Sequence, residues 1–235
     1  MSRHKLRPAI AYELRRDTQF NTLYFNDGRV TFTPSMATRA GTVFAAAPIV
    51  QGKFDITGVS DVLSFVRGDA VSGNWYDNTD PYQGTIILWV TPEFEGDDGL
   101  DHLFVYDNSN RLQVRKNAAD QLQFLRDGQN VYADVSAWDA GTTYCLACRW
   151  DSKSPIDGTN YMCISIDDVH TFGAVTAPAT NEPGNLHFIG STGVSAPANA
   201  ELEGLTIYRR VLHDGLYGCD VGNGDEIALI YDGGV

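Results

Sequence analysis

The sequence predicts an all-β sandwich of two antiparallel sheets. Three observations carry this: ten or more short apolar runs, turn chemistry between them, and a length suited to one large β domain. The chain has 235 residues, 43% hydrophobic and 11% aromatic, with 23 glycines and nine prolines spread along it. All-β domains reach about 250 residues as one unit, so one core is expected. Regular strand signals begin at Gly41. Val43–Val50, Val62–Val66, Gly84–Val90, Leu103–Tyr106, Leu112–Arg115, Leu122–Leu125, Tyr144–Trp150, Tyr161–Ile166, Leu186–Ile189 and Leu205–Tyr208 read as strands. Asn26-Asp27-Gly28, Asp107-Asn108-Ser109-Asn110, Asp127-Gly128 and Asp157-Gly158 supply turns between them. Alternation turns Leu88, Val90, Leu146, Cys148, Ile164, Ile166, Phe188 and Ile207 inward, with Trp89, Trp138 and Trp150 as further core candidates. Asp225 is placed to cap one short helix, Glu226–Tyr231, stopped by Gly233-Gly234.

Before Gly41 the only alternation is Thr22-Leu23-Tyr24-Phe25, so residues 1–40 are expected to form an N-terminal arm and residues 41–235 the sandwich. Net charge is −13, unevenly spread. Residues 1–30 hold six basic and three acidic side chains, +3, which leaves 11 basic and 27 acidic elsewhere, −16. So acidic a body repels phosphate, which argues against nucleic-acid partners. The basic arm suits docking on an acidic neighbour, another copy of the same body included. No run of 18 apolar residues exists to span a membrane. Residues 1–20 lack the apolar segment of a secretory signal, which suits a virion component released by lysis as well as an excised extracellular module.

The four cysteines are expected to stay reduced. Cys145 and Cys148 are three apart in a strand and point to opposite faces, and Cys163 lies on the face opposite Met162, Ile164 and Ile166. Cys148 is expected as a small buried hydrophobe.

Several blocks together resemble a known family. Gly84–Pro92 resembles the "GTIxxWVxP" strand of laminin-G-like jelly rolls of the concanavalin type. Trp138–Tyr144 followed by Cys148–Asp151 is similar to the family's "WxxGxWHHVAVTWD" block, and Tyr161–Asp168 to its partner strand. Leu186–Ser191, Leu205–Leu212 and Asp225–Gly234 resemble its closing blocks, so the resemblance covers roughly residues 84–234. An insertion at about His213–Gly224 and the first 40 residues depart from it. The resemblance implies a jelly-roll sandwich. It leaves function open, because glycan-binding modules, adhesins, virion proteins and hydrolases share the fold.

Candidate chemistry follows from residue types. Asn74–Gln83 mixes aromatics with amides and carboxylates in a loop, as sugar stacking with hydroxyl recognition requires, the alternative being that Trp75 and Tyr76 plug the sandwich end. Trp75, Tyr76, Asp77 and Tyr82 are its ligand-binding candidates. Calcium is the candidate metal, held by Asp97, Asp98 and Asp101, with Asp77–Asp80 a second oxygen-rich loop. Hydrolases of this fold need paired carboxylates on a strand. Glu93, Glu95 and Asp97 have the spacing, but Pro92, Gly96 and Gly99 break the run. Glu201 and Glu203 are only two. These carboxylates are expected to titrate near ordinary values, and no Ser/His/Asp set stands out among His4, His102, His170, His187 and His213. The expectation is a non-catalytic structural or adhesive lectin-like protein of a virus or phage surface. The alternative is a carbohydrate-binding module of a secreted or cell-surface protein, with a glycoside hydrolase behind both.

Overall fold

A computed structural model describes the backbone of residues 20–26, 29–32, 44–45, 49–50, 53–58, 63–66, 80–181, 186–190, 196–208, 210–212, 214–215 and 225–233. The strands in chain order are β1 (Phe20–Asn26), β2 (Arg29–Phe32), β3 (Phe44–Ala45), β4 (Ile49–Val50), β5 (Lys53–Ile56) and β6 (Leu63–Val66). Then come β7 (Gln83–Pro92), β8 (His102–Asp107), β9 (Leu112–Lys116), β10 (Gln121–Arg126) and β11 (Gln129–Asp134). The last are β12 (Tyr144–Asp151), β13 (Met162–Ile166), β14 (Val169–Gly173), β15 (Leu186–Ile189) and β16 (Ala200–Tyr208), before a single described helix, α1 (Glu226–Gly233). Two antiparallel sheets result. One runs β14-β13-β12-β7-β16-β1-β2, with β5 also on β16 and β4 on β5. The other runs β11-β10-β9-β8-β15-β6-β3.

The core between the sheets is the set that alternation selects. Ile86, Leu88 and Val90 of β7, Leu146, Cys148 and Trp150 of β12, and Met162 and Ile164 of β13 meet Phe104, Val114, Leu122, Phe124 and Val131 of the other sheet. Leu88, Val90, Leu146, Cys148, Ile164 and Ile207 are buried as expected, and Ile166 packs half-buried against them. The Phe188 side chain lies outside the described residues. Trp150 fills the space over Gly84, where a Cβ would sit 2.2 Å from its ring. Trp138 is also buried and stacks on Tyr144 at 4.5 Å. Trp89 differs: facing away from Leu88 and Val90, it stacks 6.4 Å from Tyr231 of α1, on the outside of the nine-stranded sheet.

Cys145, Cys148 and Cys163 are free thiols, and the parity argument holds. Cys148 lies between the sheets, Cys145 under α1, and Cys163 beside Ile156 and Val211. Burial pushes all three thiols up. Cys219 lies outside the described residues. Asp225 caps α1, its Oδ1 accepting the Ala228 N–H at 2.7 Å.

Three further strands depart from the sequence reading. β5, β11 and β14 were not expected; β11 offers only Val131 and Ala133 as buried apolar positions, and β14 none. Within the stretch expected to be an arm, β1 pairs with β16 and β2 with β1, forming an edge of the nine-stranded sheet. The alternation at Thr22–Phe25 and the turn at Asn26–Gly28 were its signals.

Candidate functional site

Of the four sugar-binding candidates, only Tyr82 lies within the described residues. Its ring is 43% exposed at one end of the sandwich, with the Lys153 ammonium 4.5 Å from the ring centroid, so a cation already covers one face. Its N–H is capped by Asp80 at 2.8 Å. Below it, the fully buried Arg126 donates to the carbonyls of Pro81 and Asn181 and so ties this end together. Trp75, Tyr76 and Asp77 lie outside the described residues.

The loop expected to hold calcium is built differently from a cation cage. Lys116, fully buried, reaches Asp98 with its ammonium and also donates to Asp120 at 3.0 Å and to the Leu100 carbonyl at 3.2 Å. His102 Nε2 meets the other Asp98 oxygen at 2.6 Å, and its ring stacks on Phe94 at 3.7 Å. Burial alone would raise the Asp98 carboxyl, but the bonds from Lys116 and His102 hold it below the usual range. Asp101 accepts the Ala118 N–H at 3.1 Å, and Asp97 is exposed. The charge of Asp98 is answered from within the chain by Lys116, 18 positions away.

Glu93 corrects the expectation of ordinary carboxyls. Glu93 is surface-exposed, but partial desolvation, then the charges of Asp55 and Glu201, raise its pKa. Asp55 and Glu201 are cross-strand partners on β5 and β16, and the Glu93 N–H is bonded to the Asn199 carbonyl. Glu93 thus faces two carboxylates that sequence proximity does not reveal.

The open side of the seven-stranded sheet carries a linked polar row. Register places Arg115 of β9, Gln123 of β10 and Tyr132 of β11 side by side. Arg115 Nε donates to Gln123 Oε1 at 2.7 Å. The Gln123 amide donates in turn to Asn130 Oδ1 at 2.6 Å and to the Tyr132 hydroxyl at 3.3 Å. Gln123 is thereby locked, while the Tyr132 ring stays 45% exposed. Arg115 Nη1 lies 4.0 Å from Asp101 Oδ1 at the exposed rim, beside the Asn130 amide and the Tyr132 ring. That combination suits a sugar: a π-face for its C–H groups beside preset donors for its oxygens. The available sequence signal was the polar side of β9–β11, Arg115, Gln123 and Tyr132, which form no recognisable motif.

The outer side of the nine-stranded sheet is covered instead. Arg149 of β12, fully buried, donates to the fully buried Asp214 at 2.5 Å, to the Leu212 carbonyl at 3.0 Å and to Cys163 Sγ at 3.1 Å. Beside it, Ser165 Oγ and His170 Nδ1 are hydrogen-bonded at 2.7 Å across β13 and β14. The other ring nitrogen lies 3.6 Å from Asp168 and 4.0 Å from Asp214. Ile227 and Ile230 of α1 seal the neighbouring patch over Ile87, Cys145 and Ala147. This grouping was missed; the two-residue turn Asp167-Asp168, which pairs Ser165 with His170, was the available signal.

No family model matches the chain, and no curated protein sequence matches it. Solved structures do. The receptor-binding domain of botulinum neurotoxin mosaic serotype C/D superposes with a TM-score of 0.63 at 10% identity, over 92% of this chain and 51% of that one. A Trypanosoma rangeli sialidase in complex with the inhibitor DANA gives 0.60 at 11% identity, over 90% and 32%. The botulinum neurotoxin serotype D binding domain gives 0.60 at 8% identity, over 86% and 56%. The fold is a two-sheet antiparallel jelly-roll sandwich. The chain spans about a third to a half of the lengths of these neighbours, and at such identities the likeness is one of fold.

Proposed function

We propose that the chain is a non-catalytic, laminin-G-like adhesive module that binds a saccharide on the open face of its seven-stranded sheet. The observation that carries this reading is the locked chain Arg115–Gln123–Asn130/Tyr132, a preset donor row beside an exposed ring. Arg115 Nη1 lies 4.0 Å from the exposed Asp101 carboxylate, so a sugar carboxylate, which a planar fork matches, would compete with Asp101 for this guanidinium. Among the fold neighbours are a sialidase solved with sialic acid and a toxin receptor-binding domain, which accords with a recognition role. Display on a virus or phage particle, held by the basic N-terminal segment against an acidic partner, is the setting that the charge asymmetry supports.

Glycan-array screening followed by titration of the best saccharide tests the site. Tyr132→Ala and Gln123→Ala should each weaken binding about tenfold or more, the effect of losing roughly 1.4 kcal/mol. No binding to any saccharide at millimolar concentration overturns the reading. Loss of binding in Tyr82→Ala, with Tyr132→Ala unaffected, moves the site to the sandwich end.

A second reading, glycoside hydrolysis, is favoured by the raised Glu93 carboxyl beside Asp55 and Glu201. Turnover of β-glucan, laminarin, alginate or agar that Glu93→Gln abolishes would establish it in place of the first.

A further inference from the structure

We propose that Asp168, His170 and Asp225 form a divalent-cation site that ties the β13–β14 turn to the start of α1. Each offers one ligand atom, all lie within 4.8 Å of one another, and all three residues are half-buried. They come from three places: the hairpin turn, strand β14, and the N-cap of α1. Ligands around a zinc-sized ion sit about 2.0–2.2 Å from it, hence roughly 3–4 Å apart. Closing the set therefore needs shifts below about 1 Å.

His170 is already oriented as a ligand. Ser165, only 1% exposed, occupies Nδ1 at 2.7 Å, which fixes the ring and turns Nε2 toward Asp168 Oδ1 at 3.6 Å. An outer hydroxyl holding one imidazole nitrogen while the other faces carboxylates is how metal-binding histidines are commonly supported. Asp225 divides its oxygens: Oδ1 caps the Ala228 N–H, and Oδ2 points toward Gly215, where a Cβ would lie 3.2 Å away.

The donor set is two carboxylates and one imidazole. One imidazole with two carboxylates suits zinc or manganese better than calcium, which prefers an all-oxygen shell. The three ligands leave coordination positions for water. Bound metal would pin the segment after β16 to the sheet edge, stapling the C-terminal helix in place.

The test uses the full chain after chelator treatment and dialysis, titrated with zinc, manganese and calcium chlorides by calorimetry and thermal melting. One zinc or manganese ion per chain is expected, with the melting point raised about 5–10 °C at a hundredfold excess over Kd. His170→Gln and Asp168→Asn should abolish that shift. Asp225→Ser keeps a good helix cap but removes the carboxylate, so it should lose the metal response while keeping the unliganded melting point within about 2 °C. No heat and no shift with any of the three ions at 1 mM overturns the proposal. So does binding that survives His170→Gln and Asp225→Ser; if that binding is of calcium and is lost in Asp97→Asn or Asp101→Asn, the ion belongs to the acidic loop.

Discussion

Removing the Asp214 carboxylate should cost more stability than almost any other single polar change in the described chain. Arg149 and Asp214 are both 0% exposed and 2.5 Å apart. In Asp214→Ala the guanidinium stays buried, facing the Leu212 carbonyl at 3.0 Å and Cys163 Sγ at 3.1 Å, neutral groups that accept N–H bonds but do not balance its charge. Breaking a buried pair by deleting one partner costs about 3–5 kcal/mol, a third or more of a typical domain's stability. At about 2–4 °C per kcal/mol for a chain this long, the melting point should fall by roughly 6–20 °C. The loss should appear as a lower urea midpoint at unchanged m-value, because the same surface is exposed on unfolding. The double variant Arg149→Met/Asp214→Leu removes both charges and should regain most of the loss, since apolar replacements of a buried pair are often neutral. An Asp214→Ala protein within about 1 kcal/mol of wild type would refute the argument. So would a double variant as unstable as the single one.

Two further predictions concern pH. Glu93→Gln should raise the melting point slightly at pH 7, because partial desolvation and the charges of Asp55 and Glu201 penalise its charge even at this exposed position; the gain should vanish as pH falls through the raised Glu93 value, where wild type also becomes neutral. A lower melting point for Glu93→Gln at pH 7 would contradict this. Asp98→Asn should lose about 1–3 kcal/mol at pH 7, since Lys116 keeps only Asp120 as a charged partner. The Asp98 carboxyl is lowered on folding, so its stabilisation is full above about pH 4 and is lost as pH falls through the folded value. Urea melts of both proteins should therefore converge near pH 2–3, and parallel curves down to pH 2 would refute the assignment.

The inter-sheet core was legible because burial there obeys a two-residue period. Leu146 and Cys148, or Leu88 and Val90, announce their face by alternation alone, and the same parity kept the thiols apart. The cap at Asp225 was legible because a helix start has local chemistry. What stayed hidden depends on pairs remote in sequence: Arg149 with Asp214, 65 positions apart, Lys116 with Asp98, and Glu93 with Asp55 and Glu201. A charged residue in a strand reads as solvated, yet Arg149, Lys116 and Arg126 are all fully buried, because each finds its acceptors on a segment that folds over it. β14 was hidden for a related reason: its outward His170 and Phe172 look like loop residues until Ser165 and Cys163 are set opposite them.

These hidden contacts also make the two outer faces unequal. On the nine-stranded sheet, Arg149, Thr85 and Cys145 are all covered: Arg149 bonds Leu212 and Asp214, Thr85 Oγ1 donates to the Arg210 carbonyl and accepts the Leu212 N–H, and α1 packs over Cys145. A ligand approaching there would first have to lift the C-terminal segment from a buried ion pair. On the seven-stranded sheet, no described strand or helix lies over Arg115, Gln123 and Tyr132. Their bonds to one another hold the side chains in place before any ligand arrives, so binding would cost little side-chain entropy. Gln123 is itself only 6% exposed, so the row also satisfies its buried amide. Preset donors beside an accessible ring are what the proposed site on the open sheet rests on.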